Sequence, residues 1–201
     1  MPPSPTASAA RPLILGSTSP YRRELLGRLR LPFTVEPPHV DETPQPGEAP
    51  AALARRLAAA KAAAVAKLHP QAVVIGSDQV ADLDGEPLGK PGTHANAVAQ
   101  LQRMSGRTVI FHTALTVLCG ETGFAQHDLA PVRVRFRALE AAEIEAYLQA
   151  EKPYDCAGSA RSEGLGIALL DAIESDDPTA LVGLPLIRTC RMLRAAGLRL
   201  P

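Results

Sequence analysis

Short apolar runs along this chain alternate with longer segments in which apolar residues return every third or fourth position. "PLILGS" is a branched, aliphatic run that predicts a short buried strand. "SPYRRELLGRL" follows, with Ser19 as helix N-cap and Pro20 at the first helical position. "EAPAALARRLAAAKAAAVAKLHP" predicts a long alanine-rich helix whose stripe runs Leu53, Leu57, position 61, Val65 and Leu68. Position 61 is a lysine. "AVVIGSDQV" predicts a second buried strand, and Asp84-Gly85 after it a hairpin turn. A helix capped by Thr93 is expected to reach Met104. Beyond it "RTVIFHTALTVLC", a turn at "GETG" and "APVRVRFRAL" read as paired strands, with Val132, Val134 and Phe136 turned inward and Arg133, Arg135 and Arg137 turned to water. "EAAEIEAYLQA" is helical on the stripe Ile144, Tyr147 and Leu148, and "GLPLIRTCRMLRAAGL" is a proline-started helix with glycine near its end.

Strand and helix alternate in the first half while antiparallel strands cluster in the middle. That order predicts the α/β class, a mixed twisted sheet flanked by helices. No internal repeat or low-complexity linker appears, so residues 13–201 are expected to form a single domain. The proline-rich residues 1–12 are expected to be a flexible tail, since they lack the apolar core of a signal peptide.

Composition narrows the function classes. Of 201 residues 46% are hydrophobic, enough for a proper core, and Lys+Arg and Asp+Glu both number 21. No overall basic field invites nucleic acid, so any cationic site must be local. The arginine stripe has no aromatic residues interleaved on its face, and a solvated sheet face is its simpler reading. Cys119, Cys156 and Cys190 are odd in number and lack C-x-x-C spacing, against both a disulfide framework and a zinc cluster. No run approaches the roughly 20 apolar residues of a membrane span. A cytoplasmic enzyme without nucleic-acid or membrane partners is the expectation.

The chemistry-bearing residues are few. "GSTSPYRR" joins Ser17, Ser19 and Arg22 to a helix N-terminus, where unpaired N–H groups and the helix dipole receive phosphate; a plain cap with solvated arginines is the alternative. Lys61, on an apolar stripe, must either snorkel to water or meet an anion. Asp78 follows "VVIGS" and is expected just beyond the carboxyl end of a buried strand, where open α/β sheets bind ligands. Glu42 lies in "HVDETP", and two carboxylates with a phosphate between them suit Mg²⁺, although a solvated turn is the ordinary fate of such loop acids. Lys90 is held between glycine and proline in "LGKP", a fixed cation suited to a phosphate chain. The five histidines show no ligand spacing and read as structural or surface residues. Ser17, Ser19 and Ser77 lack the G-x-S-x-G elbow of a serine hydrolase. Together the cations, carboxylates and helix terminus point to metal-assisted chemistry on a phosphate ester or anhydride.

Taken together, "LILGSTSPYRRELL", "VDE", the lysine of "LAAAKA", "VVIGSDQV", "LGKP", "YDCAGSARSEGLG" and "DDPTALVGLPL" resemble the Maf-like nucleotide pyrophosphatase family over nearly the whole chain. The resemblance implies a mixed α/β fold with a deep central cleft, commonly a homodimer. It also implies hydrolysis of a nucleoside triphosphate to monophosphate and pyrophosphate with a divalent cation, Mg²⁺ or Mn²⁺. By position, Asp78 is then the catalytic acidic residue, Glu42 its metal or water-positioning partner, and Ser17, Arg22, Lys61 and Lys90 hold the phosphates. Glu42 and Asp78 would share the metal. "SPYRR" in place of "SPRR", Gln79 in "SDQ" and Glu163 in "SEGLG" resemble the branch that acts on 7-methyl-GTP and not the dTTP and UTP branch. A methylated, cationic guanine favours an aromatic face such as Tyr21, and Glu163 can accept its N1–H and N2–H. Tyr21 also shares i, i+4 spacing with Leu25 and Leu29 and could instead pack in the core. The other readings are a dTTP/UTP-type pyrophosphatase and a nucleotide-binding regulator of septation.

Overall fold

A computed structural model describes residues 11–200. The expected tail therefore lies largely outside the described residues. The elements run β1 (Leu13–Gly16), α1 (Pro20–Gly27), β2 (Thr34–Glu36), α2 (Pro50–Leu68), β3 (Val73–Leu83), β4 (Glu86–Leu88), α3 (His94–Met104), β5 (Thr108–Cys119), β6 (Phe124–Phe136), α4 (Ala141–Glu151), β7 (Leu170–Glu174) and α5 (Leu186–Ala195). Seven strands form one sheet in the order β2-β1-β3-β5-β6-β7, with β4 also on β3. β1 pairs in parallel with β2 and β3, while every pairing from β3 onward is antiparallel. The mixed sheet is thus the expected one. β2 and β7 were not foreseen; three and five residues long, they carry too few positions to show a period.

Alternation along β3 decides which helix covers which face. Val74, Gly76, Asp78 and Val80 turn toward α2, and Val74 and Val80 pack in the clusters built on that helix. Val73 and Ile75 turn the other way, onto α1 and the C-terminal helix, while Ala81 and Leu83 pack with α3 and α4. The alanine content of α2 has a steric cause. A Cβ on Gly76 would stand 2.4 Å from the Ala58 carbonyl oxygen and 2.5 Å from the Ala62 nitrogen, so helix and strand backbones meet directly. The predicted stripe of α2 needs one correction: Leu68 is 64% exposed, and Ala62 and Ala66 fill the buried face instead. Contact that close accepts small side chains better than leucine.

Other local signals hold. The Ser19 hydroxyl accepts from the Arg22 nitrogen at the start of α1, and Thr93 caps α3. Asp84 and Gly85 both have positive φ, as a tight hairpin turn requires. The outward arginines of β6 and the one just past its end are matched by acids: Arg133 by Glu174, Arg135 by Asp171 and Arg137 by Glu143. Their charges are thereby locally offset. All three cysteines are free.

Asp78 is not beyond a strand end. It lies mid-way along β3, paired with Ala114 of β5. What ends nearby is the neighbour: β1 stops at Gly16, opposite Gly76, and β4 pairs only from Ala81 onward. Residues 77–80 therefore lack a strand partner on that edge. In place of the expected strand terminus there is a gap between two neighbouring strands.

Candidate active site

A cavity of about 690 Å³ opens at this gap. Its wall includes all ten residues singled out from the sequence, from Ser17 and Ser19 after β1 to Glu163 far along the chain. The structure brings them together without by itself assigning their roles.

Lys61 is 5% exposed, and its ammonium does not snorkel. Nζ lies 2.6 Å from Asp78 Oδ1 and 2.7 Å from Glu42 Oε1. The backbone contact at Gly76 sets this geometry, since Lys61 is the neighbour of Ala62 and is pressed with it onto β3. Burial opposes ionisation of Glu42, but the hydrogen bond and charge of Lys61, with Lys90 and Arg22, outweigh it and hold this carboxyl below the usual glutamate range. The loop carrying Glu42 is itself anchored. Arg56 of α2 reaches the Thr43 carbonyl at 3.0 Å and forms a two-pronged pair with Glu48 at 2.7 and 2.8 Å.

The strand-to-helix turn supplies donors. The buried Ser17 hydroxyl accepts from the Ser19 nitrogen at 3.1 Å and from Arg22 Nη1 at 3.4 Å. Arg22 Nε donates to the Gly183 carbonyl at 2.8 Å, which points the guanidinium along the cavity wall. Burial draws this group below the usual arginine range while Asp78 and Glu42 oppose that shift. Lys90 is exposed at the rim, and its charge is felt by Glu42. Ser77 is no nucleophile: it is fully buried, and the single proton of its hydroxyl is shared between the carbonyls of Ala114 and Gly183.

Gln79 and Tyr21 form another part of the wall. Gln79 Nε2 faces Thr113 Oγ1, the Ala180 carbonyl and the Leu181 carbonyl at 2.9 to 3.0 Å, so its donors are committed to the protein. Tyr21 is not a core residue. Leu25 and Leu26 are the buried pair of α1, whereas the Tyr21 ring faces the cavity with its hydroxyl near Cys156. Burial, then the nearby Cys156 and Asp155, push that phenol up to about 12, so the ring is neutral at any working pH. His39, read from the sequence as structural or surface, also lines the cavity.

Sequence reasoning missed the segment 181–183 that forms one wall and the backbone carbonyls it contributes. "DDPTALVGLPL" marked the place, but a carbonyl carries no residue signature.

The sequence profile of the family described as Maf-like protein matches residues 12–196. The chain belongs to the Maf family. Among its Maf relatives, a protein of Albidiferax ferrireducens named 7-methyl-GTP pyrophosphatase is 71% identical over 189 residues, 94% of this chain and 95% of the relative. Proteins of the same name in Cupriavidus metallidurans and Methylobacillus flagellatus are 62% and 60% identical, covering 95% and 92% of this chain and 96% and 97% of their own lengths. No helix among the described residues is long and apolar enough to cross a membrane.

Proposed function

We propose that this protein is a cytoplasmic nucleotide pyrophosphatase that hydrolyses 7-methyl-GTP to 7-methyl-GMP and pyrophosphate, keeping the modified nucleotide out of nucleic acids. The observation that carries this reading is the Glu42, Lys61, Asp78 cluster in a cavity whose wall also holds Tyr21 and Glu163. The name shared by relatives 60% to 71% identical over almost their whole length supports the substrate.

In this mechanism a water attacks the α-phosphorus and Asp78 takes its proton. The new oxygen–phosphorus bond forms as the bond to the bridging oxygen breaks, and pyrophosphate leaves with that oxygen. Lys61 occupies Asp78 Oδ1, so Oδ2 is the oxygen for the proton. Arg22, Lys90, Ser17 and the N-terminus of α1 stabilise charge spreading over the phosphates. Lys61 bridges the two carboxylates and favours the ionised form of Glu42, a duty closer to the reacting water than phosphate binding.

Among the described residues no group of three or more His, Cys, Asp or Glu could cage a metal. Two converging carboxylates fit the mode in which Mg²⁺ binds one or two side chains and completes its shell with phosphates and water. Glu42 and Asp78 would hold such an ion, which would polarise the phosphoryl oxygens.

The test is a panel of 7-methyl-GTP, GTP, UTP and dTTP with pyrophosphate detection, with and without Mg²⁺. Preference for 7-methyl-GTP is expected; equal turnover of all four would sink the substrate assignment. Asp78→Asn is expected to lose about a hundredfold or more in kcat while still binding nucleotide. Retained activity in that variant would remove Asp78 as the base.

A further inference from the structure

The base wall contains a built arrangement that the mechanism leaves unused. The Arg161 guanidinium carbon lies 5.3 Å from the centre of the Tyr21 ring. Arg161 is not part of the cavity wall, whereas Tyr21 and Glu163 are, so the guanidinium backs the ring from behind. Its Nη1 donates to Glu151 Oε1 at 2.8 Å, and its Nε lies 3.5 Å from Glu163 Oε1. That Nε is buried and makes no hydrogen bond, so its hold on the Glu163 carboxylate is the ion pair alone.

The rest of the segment holds Arg161 still. Its backbone nitrogen donates to the Tyr147 hydroxyl at 3.0 Å, and the second Glu151 oxygen accepts from the Leu165 nitrogen at 2.8 Å. A Cβ on Gly164 would stand 2.7 Å from Glu151 Oε1, and one on Gly166 would stand 2.5 Å from the Arg161 carbonyl oxygen. The two glycines of "SEGLG" therefore let Glu151 and Arg161 approach this closely. One cation between two carboxylates, one of them in the wall itself, leaves a net negative cluster there, which complements a positively charged purine.

We propose that Arg161 is the positioning residue for base recognition: it fixes the Tyr21 ring from behind and aims the Glu163 carboxylate, so that stacking face and acceptor meet the same cationic purine. This rests on the substrate reading above. Without Arg161 the ring loses its backing, and Glu151 and Glu163 face each other with no cation between them.

Steady-state kinetics on 7-methyl-GTP and UTP with wild type, Arg161→Met, Arg161→Lys and Glu151→Gln test it. Arg161→Met is expected to raise KM for 7-methyl-GTP about tenfold, the scale of one lost cation–π contact or hydrogen bond, with kcat within about twofold and KM for UTP unchanged. Arg161→Lys, which keeps the charge and loses the fork, should fall between, and Glu151→Gln should move the ratio the same way. If Arg161→Met does not fold, Arg161→Lys decides by the same ratio. Wild type without a preference for 7-methyl-GTP overturns the substrate reading and this inference with it. A wild-type preference that survives in the folded Arg161 variants, or a parallel loss on both substrates, overturns the role of Arg161 alone.

Discussion

Removing the Lys61 ammonium would leave Glu42 and Asp78 facing each other with nothing positive between them, in a setting where Lys61 and Asp78 side chains are 6% and 10% exposed. Lys61→Met is therefore expected to cost about 3 kcal/mol or more, the usual result of orphaning a buried charge. Adding Asp78→Asn to that variant removes the buried carboxylate of the two, Glu42 being 54% exposed, and should recover much of the loss. Urea melts of both would show it, and a double variant no more stable than the single one would deny that charge is the cause. Lys61 also shows what the residue scale gives up to sequence reading. Its place on an apolar stripe was plain, but whether it reached water or an anion depended on a partner 17 positions away, which periodicity does not encode. Tyr21 posed the same problem. Its spacing to Leu25 and Leu29 fitted a core residue as well as a cavity one, and only the turn of α1 separates them.

At the scale of elements, the loop bearing Glu42 depends on the pair between Arg56 of α2 and Glu48. The Arg56 hydrogen bonds, then the Gln45 nitrogen, hold the Glu48 carboxyl at about 2, against an ordinary value of about 4.3. A depressed folded value means that the pair adds stability in full above the unfolded value and loses it as pH falls through the folded one. Glu48→Gln should therefore be less stable than wild type at pH 7, with the gap closing between about pH 4.3 and pH 2. Parallel melts across that window check it; a gap that persists at pH 2 would point to packing and not charge. Helix and hairpin boundaries here were legible because caps, prolines and Asp-Gly turns are local chemistry. The placement of Asp78 was not, since β3 runs on past "SDQ" to Leu83 and the break in the sheet belongs to its neighbours β1 and β4.

For the whole molecule, the cavity is closed by a segment more than a hundred residues from the strand it covers. The Gly183 carbonyl accepts from both Arg22 of α1 and Ser77 of β3, while Gln79 reaches Ala180 and Leu181. Ser77→Ala should cost about 1 kcal/mol, lower kcat/KM, and speed amide exchange across residues 180–184 while β3 and β5 stay protected. Unchanged exchange there would mean that Arg22 and Gln79 suffice. The shared carbonyl also has a consequence during synthesis. Ser17, Arg22, Glu42, Lys61, Asp78 and Lys90 all leave the ribosome long before Gly183 is made, at about 5 to 20 residues per second. Until then these charged groups stand beside an unfinished wall, and the nascent chain carries its carboxylates and cations without the pocket that gathers them.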